Sequence, residues 1–564
     1  MSVNCRQSDI KNKEILAQNV NDLLRKVPLL SGRQVILLSL FPVVIWSKIS
    51  FFIPREFFEL CEKFHLPYHY ALSIQDSFLE PGPFGCSSVN VCPNINLLNY
   101  KKLQCLISFS SIPSKLPSGL REIQLFFYNQ NLEYFIFPER CQNLRIIRMN
   151  EFVGNWNKSL APLSECQNLR EIEMNRFIGS EMVDLEPLDP LRRCVHLHEI
   201  RMNSFAGSLQ PLKDCQDLET ISVKKFDGSL HGLERSLQTV NVVHFDANLT
   251  ILGKCQDLRT ICLGNFSGRL EPLVNCQNLR AIQMDDFRGN WIGSLEPLRG
   301  LENLQIIKMN KFVGNFLGSL DPLGKCPNLV LIQMDRFTGE QDEIEPLRTC
   351  TKLRVIKMLM FEGSLDPLRA CVNLEIIHLG RFNGSLDPLS ELTCLEKIIM
   401  PSYTGGKEGL KPLQRCRNLR ILDMENFLGN GRESLLPLKE LETLREIKMN
   451  SFNGRLEPLG GLTRLEKIVM NNFTGSQSND KRDGLDPLKN CPNLREICMN
   501  SFVGNWSGSL DFLRGCQKLE IIQMHSFLGS LRPLLVYENL RVIRMGNFQG
   551  SLTMLKQRFP TANR

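Results

Sequence analysis

The sequence predicts an α/β-type repeat solenoid, with short parallel strands on a concave face and irregular or 3-10 segments on the convex side. Three observations predict it. One phrase recurs through most of the 564 residues. The first half of that phrase alternates apolar and polar residues, as a strand with one buried face does. The second half carries a proline at a fixed place, which suits a tight turn better than a long helix.

The phrase is L-x-x-I-x-M-x-x-F-x-G-S-L-x-P-L-x-x-C-x-N. A clean copy runs Leu197, Ile200, Met202, Phe205, Gly207, Ser208, Leu209, Pro211, Leu212 and Cys215. Its aromatic position is filled 19 times between Tyr128 and Phe548, most often 21, 24 or 25 residues apart. A period of about 20–29 residues with this leucine pattern is the signature of leucine-rich repeats. The glycine two residues after Phe is expected at a positive φ or a close backbone approach. The return segment S-L-x-P-L-x-x-C-x-N-L resembles the short repeats of bacterial internalins, a class shared with a regulatory subunit of a nuclear protein phosphatase. Where those families place Asn in the turn, this chain has Phe, and it has Gly where they place an apolar residue. The resemblance implies a fold and a general binding role, with no particular partner.

The array is expected over residues 99–555 as about 19 repeats. Residues 1–98 lack the phrase and form an N-terminal cap or a separate small module, because an open solenoid end would expose its last apolar layer. Residues 556–564 are a C-terminal tail. Stacked units let so long a chain grow without one oversized core.

Composition narrows the function. Charged residues make up 23% and the formal net charge is +7, too small an excess to imply nucleic acid without a local patch. Twelve of the 20 cysteines occupy one repeat position, which Leu301, Leu392, Leu441 and Leu462 fill in other repeats. A residue that trades with leucine fills apolar volume, so free thiols in a reduced cytoplasmic protein are expected. The first 27 residues are polar, without a secretory pattern. The apolar run from Val35 to Trp46 contains Pro42 and is too short to span a bilayer. The six Asn-x-Ser/Thr sequons read as accidents of composition.

No phosphate-binding loop, dinucleotide fingerprint or H-E-x-x-H motif is present, so no enzyme activity and no cofactor are expected. Cys61, His65, His69, Cys86 and Cys92 could be imagined around zinc. They include no C-x-x-C pair, and Pro67 interrupts the segment, so no metal is expected.

The binding surface is expected on the concave face. The residue between Ile and Met points outward between two buried neighbours. That column includes Arg148, Arg201, Lys308, Lys357, Lys448 and Arg544 against only two acids, Glu173 and Asp423. It has no aromatic residue, and Glu171, Glu199, Asp285, Asp286 and Asp335 lie beside it, whereas nucleic acid would favour stacking rings and an unbroken basic track. These six basic residues are the candidate contacts for a protein ligand with an acidic patch. Trp156, Trp291, Phe316 and Trp506 follow an Asn inserted after F-x-G. They read either as binding aromatics on a rim or as rings that cover their own lengthened loops, and their scatter favours the second role. The expected function is a non-enzymatic protein-binding scaffold. The alternatives are a targeting or substrate-recognition subunit whose N-terminal segment recruits a ubiquitin ligase or phosphatase, and a secreted effector or adhesion protein.

Overall fold

The computed structural model describes residues 120–125, 141–149, 160–174 and 188–544 apart from short internal stretches, together with the backbone of two earlier strands. The chain forms two compact units, Met1–Leu233 and Glu234–Arg564. In the first, the strands Val35–Leu38, Cys105–Ser108, Glu122–Leu125, Ile146–Met149, Glu171–Met174, Glu199–Ser208 and Thr220–Ser229 pair in parallel, each with the next in the chain. In the second, strands run in parallel from Thr239–Phe245 to Val542–Arg544, again in chain order. One strand per coil and one register step per repeat are what a period near 24 residues requires.

The alternation of L-x-x-I-x-M is realised directly. In Val355–Met358, Ile356 and Met358 are buried and Val355 and Lys357 half-exposed. The L-x-P-L segment folds into a 3-10 turn, as in Asp321–Lys325 with Pro322 in its first turn. There the missing proline N–H costs nothing, since the first amides of a helix have no internal partner. The following Cys326 closes the turn by donating its backbone N–H to Leu323 O at 2.9 Å.

Three ladders hold coil to coil. The repeated rings stack face to face: Phe287–Phe312 and Phe312–Phe337 have centroids 6.1 and 6.5 Å apart with planes within 5°. The same stacking links Phe205 to Phe226 in the first unit and joins Tyr403, Phe427, Phe452 and Phe473 in the second. Tyr403 fits the column because its hydroxyl donates to Gly409 O at 3.0 Å and accepts from Gly406 N. The second ladder is of thiols. Cys276, Cys326 and Cys516 each donate S–H to a leucine carbonyl of the preceding coil at 3.3 Å. The third is of side-chain amides, where Asn328 Nδ2 donates to Glu302 O at 2.7 Å and Asn373 Nδ2 to Thr351 O at 2.9 Å.

Two expectations are refined. Glu199–Ser208 and Thr220–Ser229 are 10-residue strands that stay paired through Phe205 and Gly207, longer than the short segment the phrase suggests. Among the described F-x-G glycines only Gly405 has positive φ, 106°. At Gly384 the constraint is instead close approach, since a Cβ would sit 3.0 Å from the Phe382 ring.

Candidate binding face

The face of the sheet opposite the buried leucines carries the outward residues of every coil. In the first unit, Arg148, Glu173, Arg201 and Ser222 are successive register partners. In the second, Gln283, Lys308, Gln333, Lys357 and His378 continue the same position from strand to strand, and Asp423, Lys448 and later Arg544 lie farther along it. Each of the six expected contact residues therefore occupies the outward position of its own strand, Arg148 and Arg201 in the first unit and the other four in the second.

Electrostatics sorts them. Arg148 is tied to Glu122, Glu171 and Glu173, with 2.9 Å from Nη2 to Glu171 Oε1. Arg201 grips Glu199 through two hydrogen bonds of 2.7 and 2.9 Å, and that bond raises its pKa. Lys448 lies 3.5 Å from Asp423 Oδ2 and is bonded to Glu425. Burial pulls the Lys448 pKa down, but the bonds to Glu425 and Asp423 outweigh it and the net shift is upward. Asp423 is also shifted upward, because its burial exceeds the attraction of Lys448. These three cations are consumed by their own fold.

Lys308 and Lys357 are different. Neither forms an ion pair or side-chain hydrogen bond among the described residues. The nearby carboxylates are engaged elsewhere: Asn310 Nδ2 donates to Asp285 at 3.0 Å, and Gln333 Nε2 donates to Asn310 Oδ1 at 2.9 Å and to Asp335 at 3.3 Å. Burial, helped by the Lys357 charge, lowers the His378 pKa and favours its neutral form. Arg544 is exposed on the last described strand and forms no ion pair among the described residues.

Sequence reasoning missed the row beside the lysines. Ala281, Ile306, Leu331, Val355 and Ile376 are register partners on five consecutive strands, all half-exposed. The signal was available, since each immediately precedes the buried Ile of L-x-x-I. Lys397 interrupts this row. Beyond it a groove of about 430 Å³ is lined by residues including Asp423, Glu446, Lys448, Lys467 and Glu496. Its cations are already matched, with Lys467 Nζ 2.9 Å from Glu496. The open cationic and apolar ground is therefore at 281–379 rather than in that groove.

Among the described residues no group of three His, Cys, Asp or Glu is placed to hold a metal ion, and no helix is long and apolar enough to cross a membrane. The cysteine and histidine set at 61–92 and the rim aromatics Trp156, Trp291, Phe316 and Trp506 lie outside the described residues.

No family model matches the chain, and no curated protein matches its sequence. Solved structures do resemble it. TLR13 in a complex with ssRNA13 aligns at 12% identity over 82% of this chain and 73% of its own, with a TM-score of 0.53. The Arabidopsis receptor kinase HAESA ectodomain, bound to an IDA peptide hormone, aligns at 14% identity over 77% and 72%, with a TM-score of 0.46. An internalin, inlF, from Listeria monocytogenes aligns at 14% identity over 62% and 83%, with a TM-score of 0.38. At such identities likeness speaks for the fold alone. The coil geometry and the TLR13 alignment agree: this chain is a leucine-rich-repeat solenoid.

Proposed function

We propose that the chain is a non-enzymatic protein-recognition scaffold, and that Lys308 and Lys357 mark where it holds an acidic partner. One observation carries this reading: among the described residues these two cations stand unpaired beside an aliphatic row, while Arg148, Arg201 and Lys448 are neutralised internally. An unpaired cation on a half-buried face has already lost part of its hydration, so an incoming carboxylate gains more from it than from a cation already paired. The aliphatic row supplies burial at about 25 cal/mol per Å². Aromatic platforms for bases are lacking in the column, which favours protein over nucleic acid. The buried free thiols, which trade places with leucine, favour a reducing, cytoplasmic setting.

The test is affinity capture with the full chain and with Lys308→Glu/Lys357→Glu, followed by quantitative mass spectrometry. A defined set of proteins should be depleted from the variant while its thermal unfolding is unchanged. An identical captured set would refute the placement of the site.

A further inference from the structure

The row at 281–376 has a geometry that narrows the partner's shape. Ala281 to Ile376 spans four strand intervals, about 19 Å at about 4.8 Å each. Apolar contact along this line needs a ligand whose own apolar residues form a straight stripe across the strands. A helix of about 13 residues covers that length at about 1.5 Å per residue, with its apolar positions at i, i+3, i+4 and i+7. The charges set the same ruler. Lys308 and Lys357 are two strands apart, about 10 Å. Two helical turns are about 10.8 Å, so carboxylates seven residues apart would meet both. An extended segment presents same-side residues every 6.6–7 Å or so, and neither one nor two such steps gives about 10 Å. On the other flank of the row Arg280 is exposed and unpaired among the described residues.

From this match of an aliphatic row to flanking free cations, we infer that strands 281–379 hold an amphipathic acidic helix of the partner, laid across the strands. The inference rests on the binding role proposed above and specifies its ligand. Apolar side chains of the helix pack on Ile306, Leu331, Val355 and Ile376. Its flanking carboxylates pair with Lys308 and Lys357.

The probe is a fluorescent synthetic peptide of about 15 residues with leucines at helical spacing and two glutamates seven apart. Its control has the same composition with leucine and glutamate in strict alternation. Both are titrated against the full chain by anisotropy. The helical peptide should bind at least about tenfold more tightly than the alternating one, a gap of about 1.4 kcal/mol. Lys308→Glu/Lys357→Glu should abolish that preference, and a peptide with lysines in place of the two glutamates should restore binding to the variant. Equal binding of the two peptides, failure of the charge swap, or binding of a uridine-rich RNA oligonucleotide but not the helical peptide would each overturn the inference. Failure of the peptide while partner capture remains lysine-dependent would remove the helix and leave the proposed binding role standing.

Discussion

The stacked rings make a quantitative prediction about how coils support one another. Phe312 is 1% exposed and lies between Phe287 and Phe337, at 6.1 and 6.5 Å with nearly parallel planes. Phe312→Ala removes a fully buried ring and should cost about 3–5 kcal/mol. Part of that loss belongs to the two ring contacts, about 0.5–1.5 kcal/mol each. A double-mutant cycle between Phe287 and Phe312 should therefore show a coupling near 1 kcal/mol. The pair Phe312 and Phe427 shares no contact and should be additive within about 0.5 kcal/mol. Native-state hydrogen exchange suits the measurement, because long repeat arrays need not unfold in one step. The amides to follow are Phe312 N–H, bonded to Met309 O, and Phe337 N–H, bonded to Met334 O. Each 1.4 kcal/mol is about a tenfold rate increase, so Phe312→Ala should speed the Phe312 amide by at least about a hundredfold and the Phe337 amide by about fivefold. Coupling absent from the stacked pair, or equal in the distant pair, would refute a nearest-neighbour column of rings.

The thiol and amide ladders give further expectations. Titration of the denatured, unreduced protein should find nearly all 20 cysteines reactive, and recovery of only a few would reveal a disulfide framework. Burial pushes the Cys371 and Cys416 thiols from 9.0 to about 12. Their folded pKa values lie above the unfolded ones, so the stability they contribute is complete below pH 9 and is lost as pH rises toward about 12. The melting temperature should fall over that range, and less steeply in Cys416→Leu; an unaltered slope would argue against the thiol as its source. Asn328→Ala should cost about 1 kcal/mol by freeing the Glu302 carbonyl, read from urea unfolding. Asn328→Thr should recover most of it, as Thr443, at the same repeat position, donates its Oγ1 hydroxyl to Arg417 O of the preceding coil at 2.6 Å.

Much of this was legible because each repeat position keeps one physical job. The alternation in L-x-x-I-x-M announced strands, and Pro in L-x-P-L announced 3-10 turns such as Asp321–Lys325. The exchange of Cys326 with residues like Leu301 correctly indicated apolar burial. It did not indicate that the thiol donates to Leu298 O, because that acceptor belongs to the coil before, 28 residues away. The basic column was visible for the same periodic reason. Which members were free was not, since neutralisation of Arg148 depends on Glu122 and Glu171, contributed by neighbouring strands. The turn glycines were legible as special positions but not one by one: Gly405 takes a positive φ, whereas at Gly384 the close neighbour is the Phe382 ring rather than backbone.

Recognition through Lys308 and Lys357, as proposed above, has a direct test. The principal captured partner, once purified, is titrated against three forms of the full chain at two salt concentrations. These are the native protein, Lys308→Glu/Lys357→Glu, and Arg148→Ala as a control whose cation is already paired. The lysine variant should lose at least about tenfold in affinity and show a flatter salt dependence, with Arg148→Ala close to native. Native affinity in the lysine variant, or an equal loss in Arg148→Ala, would contradict recognition through these lysines.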